Sequence, residues 1–152
     1  NDLLVGSRKL AGILAEGVAS AVSPGVQAVV LGYGINVGTA AYPPELGTRA
    51  TSLEAELGRT IDRALVCAET LASLAETYRA LLEGAFDDIL DAWRARAPGS
   101  RGARVEWDTN EGVRDGVTAG IDDSGALLVR SARGIERIVA GEVRWELHAA
   151  RD

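Results

Sequence analysis

The stretch from Val29 to Val37, reading Val-Val-Leu-Gly-Tyr-Gly-Ile-Asn-Val, limits what this chain can fold into more than any other part of it. Four consecutive apolar residues, Ala28 to Leu31, fit a strand covered on both faces, because a half-exposed strand would alternate apolar with polar. Gly32 and Gly34 then remove the side chains that would keep a ligand from the backbone, and Asn36 offers an amide beside that opening. A strand ending in an ordinary glycine turn explains the stretch equally well, so its meaning depends on the rest of the chain.

A chain of 152 residues holds one ordinary domain, or a medium one with a small appendage. Its opening on Asn1-Asp2, without methionine, signal-peptide charges or an apolar h-region, is expected of a fragment, a processed chain or one whose beginning is missing. No apolar run approaches the length of a membrane span, so no membrane partner is expected. The net charge of -6 argues against a polyanion-binding surface and so against nucleic acid as a partner of this chain. Cys67, the single cysteine, excludes an intrachain disulfide framework and fits a reducing compartment, which predicts a cytoplasmic protein. It falls in a helical apolar series with Leu71, Leu74, Tyr78 and Leu81, where a small buried thiol is ordinary. The one histidine, His148, supplies neither a metal cluster nor a triad, and reads as a surface residue near a frayed terminus.

Leu3 to Val5 and Lys9 to Glu16 predict a hairpin around Gly6-Ser7-Arg8. Along its second strand Lys9, Ala11, Ile13 and Ala15 point one way and Leu10, Gly12, Leu14 and Glu16 the other, so neither face is plainly solvent-facing. The lysine at the entrance is either a solvated edge residue or a site residue. Residues 17–25, with Ser20, Ser23 and Pro24, read as a loop before the opening strand at Val26, which makes this part of the sheet antiparallel. After an irregular segment containing Pro43-Pro44, Thr51 or Ser52 caps a short helix from Leu53 to Leu57 that Gly58 ends. Asp62 begins a long helix with Ala64, Ala68, Leu71, Ala75, Tyr78 and Leu82 along one stripe, stopped by Gly84. Phe86, Ile89, Leu90, Trp93 and Ala97 form a second amphipathic series, with acidic residues in its first turn and arginines in its last. Both helices read as scaffold.

Residues 98–102, Pro-Gly-Ser-Arg-Gly, mark the one clear boundary, after which the periodicity changes from helical to short strands. Val105–Trp107, Gly112–Ile121, Ala126–Arg130, Ile135–Val139 and Glu142–Leu147 read as five strands, with turns at Asp122–Gly125, Arg133–Gly134 and Ala140–Gly141. Five strands of this size predict a small SH3-like barrel. The fold class is therefore α+β: a mixed or antiparallel sheet with helices over residues 1–97, a linker at 98–102 and the barrel over 103–152.

Gly32-x-Gly34-x-Asn36 is not a dinucleotide fingerprint, since Val37 stands where the third glycine would and no helix pattern follows. Nor does a Gly-Lys-Ser/Thr loop occur. What remains is a strand open to close approach, an asparagine able to hold a phosphate oxygen or a metal-bound water, and Lys9 nearby. A lysine there supplies the point charge needed when a carboxylate attacks a phosphoryl group.

Taken in order, these residues resemble the biotin-protein ligases over nearly the whole chain. Asn1-Asp2 is similar to the end of that family's Lys-Trp-Pro-Asn-Asp motif, and Lys9 to Glu16 to its Lys-x-x-Gly-Ile-Leu-x-Glu strand. Leu31 to Val37 is similar to its Gly-x-Gly-x-Asn strand, followed in family order by Pro44-Glu45-Leu46 and Ala50-Thr51-Ser52-Leu53. In the barrel, Gly120 to Asp123, Gly125 to Val129 and Gly141-Glu142-Val143 also match. The phosphate loop and the upstream biotin-binding residues of the family are not found in this sequence.

The resemblance implies a class II synthetase-like catalytic domain, here incomplete. It implies that biotin and ATP, with Mg2+, form biotinyl-5'-adenylate, and that biotin then passes to a lysine of a biotin carboxyl carrier domain. It gives Lys9 the role of contacting the biotin carboxylate and the adenylate phosphate, with Gly12, Gly32 and Gly34 leaving room for biotin and adenylate. Asn1, Asp2 and Asn36 take the nucleotide and its phosphates, no residue is directly assigned to a metal, and Arg8, Thr51 and Ser52 are as well explained by structure. A homodimer stays open. So do two other functions: a module that docks a carrier protein without turnover, and a lipoate or octanoate ligase.

Overall fold

A computed structural model describes residues 1–19, 26–139 and 141–145. The described residues divide into two compact units, one from Asn1 to Glu69 and one from Thr70 to Trp145, and the fold is α+β.

The first unit is built on a three-stranded antiparallel sheet in the order β1 (Asp2–Val5), β2 (Arg8–Ala19), β3 (Val26–Ile35). Gly6, at φ 59°, supplies the left-handed conformation that the tight β1–β2 turn needs. The β2–β3 register sets Gly12 opposite Gly34, Ile13 opposite Tyr33 and Leu14 opposite Gly32. Three expectations change here. The apolar run is not covered on both faces: Val29, Val30 and Leu31 are 63%, 56% and 43% exposed. Residues 17–19 are not loop: they extend β2, because Val29, Ala28 and Val26 of the apolar run offer them backbone partners. Gly32 and Gly34 likewise lie inside β3, which continues to Ile35, so they do not form a terminal turn. Residues 20–25 of the expected loop lie outside the described residues.

Beyond β3 the chain passes two 3-10 turns, Thr39–Ala41 and Pro44–Leu46, and returns to β2 through an isolated parallel bridge between Lys9 and Ala50. Helix α1 (Leu53–Leu57) starts at Ser52, whose Oγ accepts from Ala55 N at 3.3 Å, and stops at Gly58 with φ 63°. Ser52, not Thr51, is thus the cap. Helix α2 (Arg63–Leu82) begins after Asp62, whose Oδ1 accepts from Ala64 N at 2.8 Å, and it runs across the division between the units. No residue of α2 is buried, and Leu71, Tyr78 and Leu82 along its stripe are 51%, 59% and 70% exposed. Cys67 is exposed as well, contrary to the buried thiol expected of it. Helical spacing reports that a stripe is apolar; it does not report what covers the stripe.

The second unit contains α3 (Phe86–Arg96) and an antiparallel barrel sheet in the order β7-β6-β5-β4-β8. Its strands are β4 (Arg101–Thr109), β5 (Gly112–Ile121), β6 (Leu127–Ser131), β7 (Gly134–Ile138) and β8 (Val143–Trp145). Alternation places Val105 and Trp107 of β4 inward beside Val129, with Leu127, Ile138 and Val143 packed around them, as an SH3-like barrel requires. The turn-rich stretch 98–102 is ordered: Pro98–Ser100 form a 3-10 turn and Arg101 already pairs with Ala119. Thr118 fastens it, its Oγ1 donating to Gly99 O and accepting from Ala103 N, both at 2.9 Å. His148, Ala140 and the end of the last expected strand lie outside the described residues.

Candidate functional site

Lys9 stands second on β2, and its backbone is held on both polar groups: Lys9 N donates to Arg49 O at 2.8 Å and Thr51 N donates to Lys9 O at 2.9 Å. Its ammonium lies 2.7 Å from Asp2 Oδ1 on the neighbouring strand, and both side chains are about half exposed. Gly12 makes room for this pair. A Cβ there would lie 3.2 Å from both Cε and Nζ of Lys9 and 3.4 Å from Asp2 Oδ1. Opposite the pair, Gly32 and Gly34 are different in kind. A Cβ on Gly34 would meet nothing within 4 Å, one on Gly32 only Leu14 O at 3.9 Å, and neither residue has a positive φ. Nothing in the first unit itself requires glycine at these two positions, so the space they leave is available to a ligand.

Asn1, Asp2, Lys9, Gly12, Gly32 and Gly34 line one open cavity of about 290 Å³ in the first unit. Asn1 is tied to the sheet by its carbonyl, which accepts from Ile13 N at 2.8 Å. Asn36 is not among the lining residues. Its Nδ2 donates to Thr51 O at 3.0 Å and to Lys9 O at 3.4 Å, so the atom it can still offer a ligand is Oδ1. Arg8 points away from Lys9 and donates from Nη2 to Glu56 Oε1 at 2.8 Å; the Thr51 hydroxyl donates to the same carboxylate. Thr51 and Ser52 are fully buried and act structurally.

One site residue escapes a reading by motif. Glu56 belongs to none, and its role is visible only once α1 is folded against β2. Lys9, by contrast, is the only lysine of the chain beside fifteen arginines, so composition alone marks it. Among the described residues no three His, Cys, Asp or Glu side chains gather into a metal cage, and no helix is long and apolar enough to cross a membrane.

An ammonium paired with one carboxylate at the mouth of a glycine-lined slot has the charge to meet an anionic group, and the slot is carried on an α+β unit that an SH3-like barrel follows. Residues 104–144 match the family described as biotin protein ligase C terminal domain. The chain is 35% identical over 145 residues to the bifunctional ligase/repressor BirA of Bacillus subtilis, covering 94% of the chain and 44% of that protein. It is 37% identical over 150 residues to the biotin–(acetyl-CoA-carboxylase) ligase of Paracoccus denitrificans, covering 94% of the chain and 60% of that protein. Among solved structures, the apo biotin protein ligase from Aquifex aeolicus superposes with a TM-score of 0.77 at 26% identity, over 96% of this chain and 62% of that one. The same ligase in complex with biotin and ATP gives 0.77 at 27% identity, over 96% and 59%. The chain is thus similar, along nearly all its length, to biotin-protein ligases, and over residues 104–144 to their C-terminal domain. It spans 44% to 60% of the curated relatives it matches.

Proposed function

We propose that the chain is the C-terminal part of an ATP-dependent biotin-protein ligase, with residues 1–97 completing a catalytic domain, 98–102 joining it to the barrel, and 103–152 forming that barrel. In the first step a biotin carboxylate oxygen attacks the α-phosphorus of ATP, a P–O bond forms to give biotinyl-5'-adenylate, and the bond to pyrophosphate breaks. In the second, the amine of a lysine on a biotin carboxyl carrier domain attacks the acyl carbon, loses a proton, and AMP leaves. Both steps bring anionic oxygens together. The Lys9 ammonium offsets that charge, exchanging Asp2 for an oxygen of the carboxylate or adenylate phosphate.

Gly32 and Gly34 leave the biotin and adenylate room to lie against β3, and Gly12 gives the ammonium its position. Asn1 and Asp2 take the nucleotide side of the slot. Magnesium fits as an ion that arrives with the ATP phosphates: it favours oxygen ligands and keeps much of its water, and Asn36 Oδ1 is an oxygen donor not committed as Nδ2 is. Bound there, it would neutralise phosphate charge.

The observation that carries this reading is the convergence of Lys9, Asp2 and three glycines on one slot, in a chain similar to biotin-protein ligases. The test is Lys9→Ala and Lys9→Arg in the complete protein, followed by biotin-dependent pyrophosphate release and biotinylation of a carrier domain. Both rates fall by about 100-fold or more in Lys9→Ala, the scale of losing one preorganised charge contact. Wild-type rates in that variant would remove Lys9 from the mechanism.

A further inference from the structure

We propose that Glu56 is a positioning residue for Lys9, a role that rests on the reading of Lys9 as the reactive cation. Arg8 and Lys9 are neighbours on β2, so their side chains leave opposite faces of the sheet. Lys9 meets Asp2 and the cavity, while Arg8 meets Glu56 at 2.8 Å. Glu56 also accepts the hydroxyl of the fully buried Thr51, whose backbone N donates to Lys9 O at 2.9 Å. One carboxylate therefore holds the residue before Lys9 and the residue that grips its carbonyl.

The need for such a tie follows from the kind of joint it spans. Lys9 and Ala50 meet in an isolated bridge, not in a ladder, so the two backbone hydrogen bonds of Lys9 to Arg49 and Thr51, and no longer run, fix how residues 49–51 sit along β2. A hydroxyl buried like that of Thr51 needs an acceptor, but a backbone carbonyl would satisfy it equally well. A carboxylate that also receives Arg8 links two chain segments that the bridge alone leaves free to slide or tilt. Asn36 adds a second tie on the same joint through Thr51 O and Lys9 O. The short α1, capped by Ser52 and ended by Gly58, keeps the Glu56 carboxylate within reach of both partners. Because the ammonium sits at the end of a four-carbon stem, a small tilt of the Lys9 backbone displaces the charge that must meet the ligand.

The experiment uses the complete protein with Glu56→Ala, Glu56→Gln, Thr51→Val and Thr51→Ser. It measures kcat and KM for biotin-dependent pyrophosphate release per folded molecule, and the acylation rate of Lys9 by an amine-reactive N-hydroxysuccinimide ester, read by mass spectrometry. Glu56→Ala and Thr51→Val lower kcat by about 10-fold or more with KM for biotin little changed, since misplacement by 1 Å costs on the order of 100-fold. Glu56→Gln, which keeps an oxygen acceptor, and Thr51→Ser, which keeps the hydroxyl, recover most of that loss. Lys9 acylation shifts several-fold in the same two variants and not in the conservative ones. If Glu56→Ala does not fold, the Thr51→Val and Thr51→Ser pair decides the question by the same readouts. Unchanged turnover per folded molecule together with unchanged Lys9 acylation overturns the assignment. A wild-type protein without pyrophosphate release, in which Lys9 acylation still responds to Glu56→Ala, keeps the positioning role and removes the ligase reading instead.

Discussion

Replacing Gly12 by alanine separates what this glycine does for the fold from what it does for the site. The added methyl would stand 3.2 Å from Cε and Nζ of Lys9 and 3.4 Å from Asp2 Oδ1, with no backbone atom as its nearest neighbour. Unstrained carbon contacts begin near 3.5 Å, so the lysine tip must retreat by about 0.3–0.5 Å. Gly12 does not have a positive φ and is paired with Asp2 on one side and Gly34 on the other, so alanine suits its backbone. Reduced freedom of the unfolded chain would even stabilise the variant by up to about 1 kcal/mol. The disturbed Lys9–Asp2 pair is half exposed, and such pairs contribute about 0–1 kcal/mol, so the two effects nearly cancel.

Activity behaves otherwise. If 1 Å of misplacement costs on the order of 100-fold, a retreat of 0.3–0.5 Å costs about 4- to 10-fold, or about 1 kcal/mol of transition-state stabilisation. The expected result is a Gly12→Ala protein that melts within a few degrees of wild type while kcat for biotin-dependent pyrophosphate release falls about 4- to 10-fold. Thermal melting and single-turnover kinetics on the same preparation measure both. Kinetics within two-fold of wild type would refute the idea that this glycine exists to seat Lys9. A variant that unfolded would refute it too, since the fold would then be what needs the glycine.

Two further outcomes concern the barrel. A methyl on Gly116 would stand 2.5 Å from Val129 Cγ1 and 2.7 Å from Arg130 O, so β5 and β6 must part around the fully buried Val129. Gly116→Ala is expected to destabilise by about 1–3 kcal/mol in urea titration, and an unshifted midpoint would contradict the close approach. The Asp122 carboxyl is held well below its ordinary value of 3.8, first by the hydrogen bond from Arg137 and then by that from Ser124. A depressed carboxylate contributes stability above its unfolded value and loses it as pH falls through its folded one, so this contribution declines below about pH 4. Carbon-detected NMR should find Asp122 still ionised at pH 3, and Asp122→Asn should flatten the acid limb of the stability curve. Titration of this carboxyl near 4 would count against the arrangement.

The elements with local punctuation are legible in the amino-acid sequence alone. α1 and α2 end where Gly58 and Gly84 supply left-handed conformations, and the β5–β6 turn forms where Asp122 can accept from Ser124 N and Ala126 N. What local pattern misplaces depends on partners far along the chain. Residues 17–19 become strand only because β3 lies beside them, and the stretch at 98–102 is ordered by Thr118. The site divides the same way. Five of the expected residues join Lys9 around the cavity because strand register fixes their relations. Asn36 does not, since a segment fifteen residues later takes its amide nitrogen, and no local pattern announces such a bond.

The single lysine is best understood against the arginines. Elsewhere the chain uses guanidinium wherever a carboxylate is to be kept: Arg144 reaches both oxygens of Asp108, and Arg114 joins Glu111 and Glu136. A planar fork suits such fixed pairs, because two parallel bonds hold the partner in one orientation. At the slot the requirement is the reverse. The cation must stand over Gly12, where even a Cβ would lie only 3.2 Å from it, and must release Asp2 when a ligand oxygen arrives. A compact ammonium with three rotatable donors can do both; a guanidinium is too broad for the clearance and binds its carboxylate too directionally. Charge alone would therefore not restore function, and Lys9→Arg should remain close to Lys9→Ala in pyrophosphate release. Near-wild-type turnover in Lys9→Arg would mean that the slot needs only a positive charge, and that its geometry matters less than the glycines around it suggest.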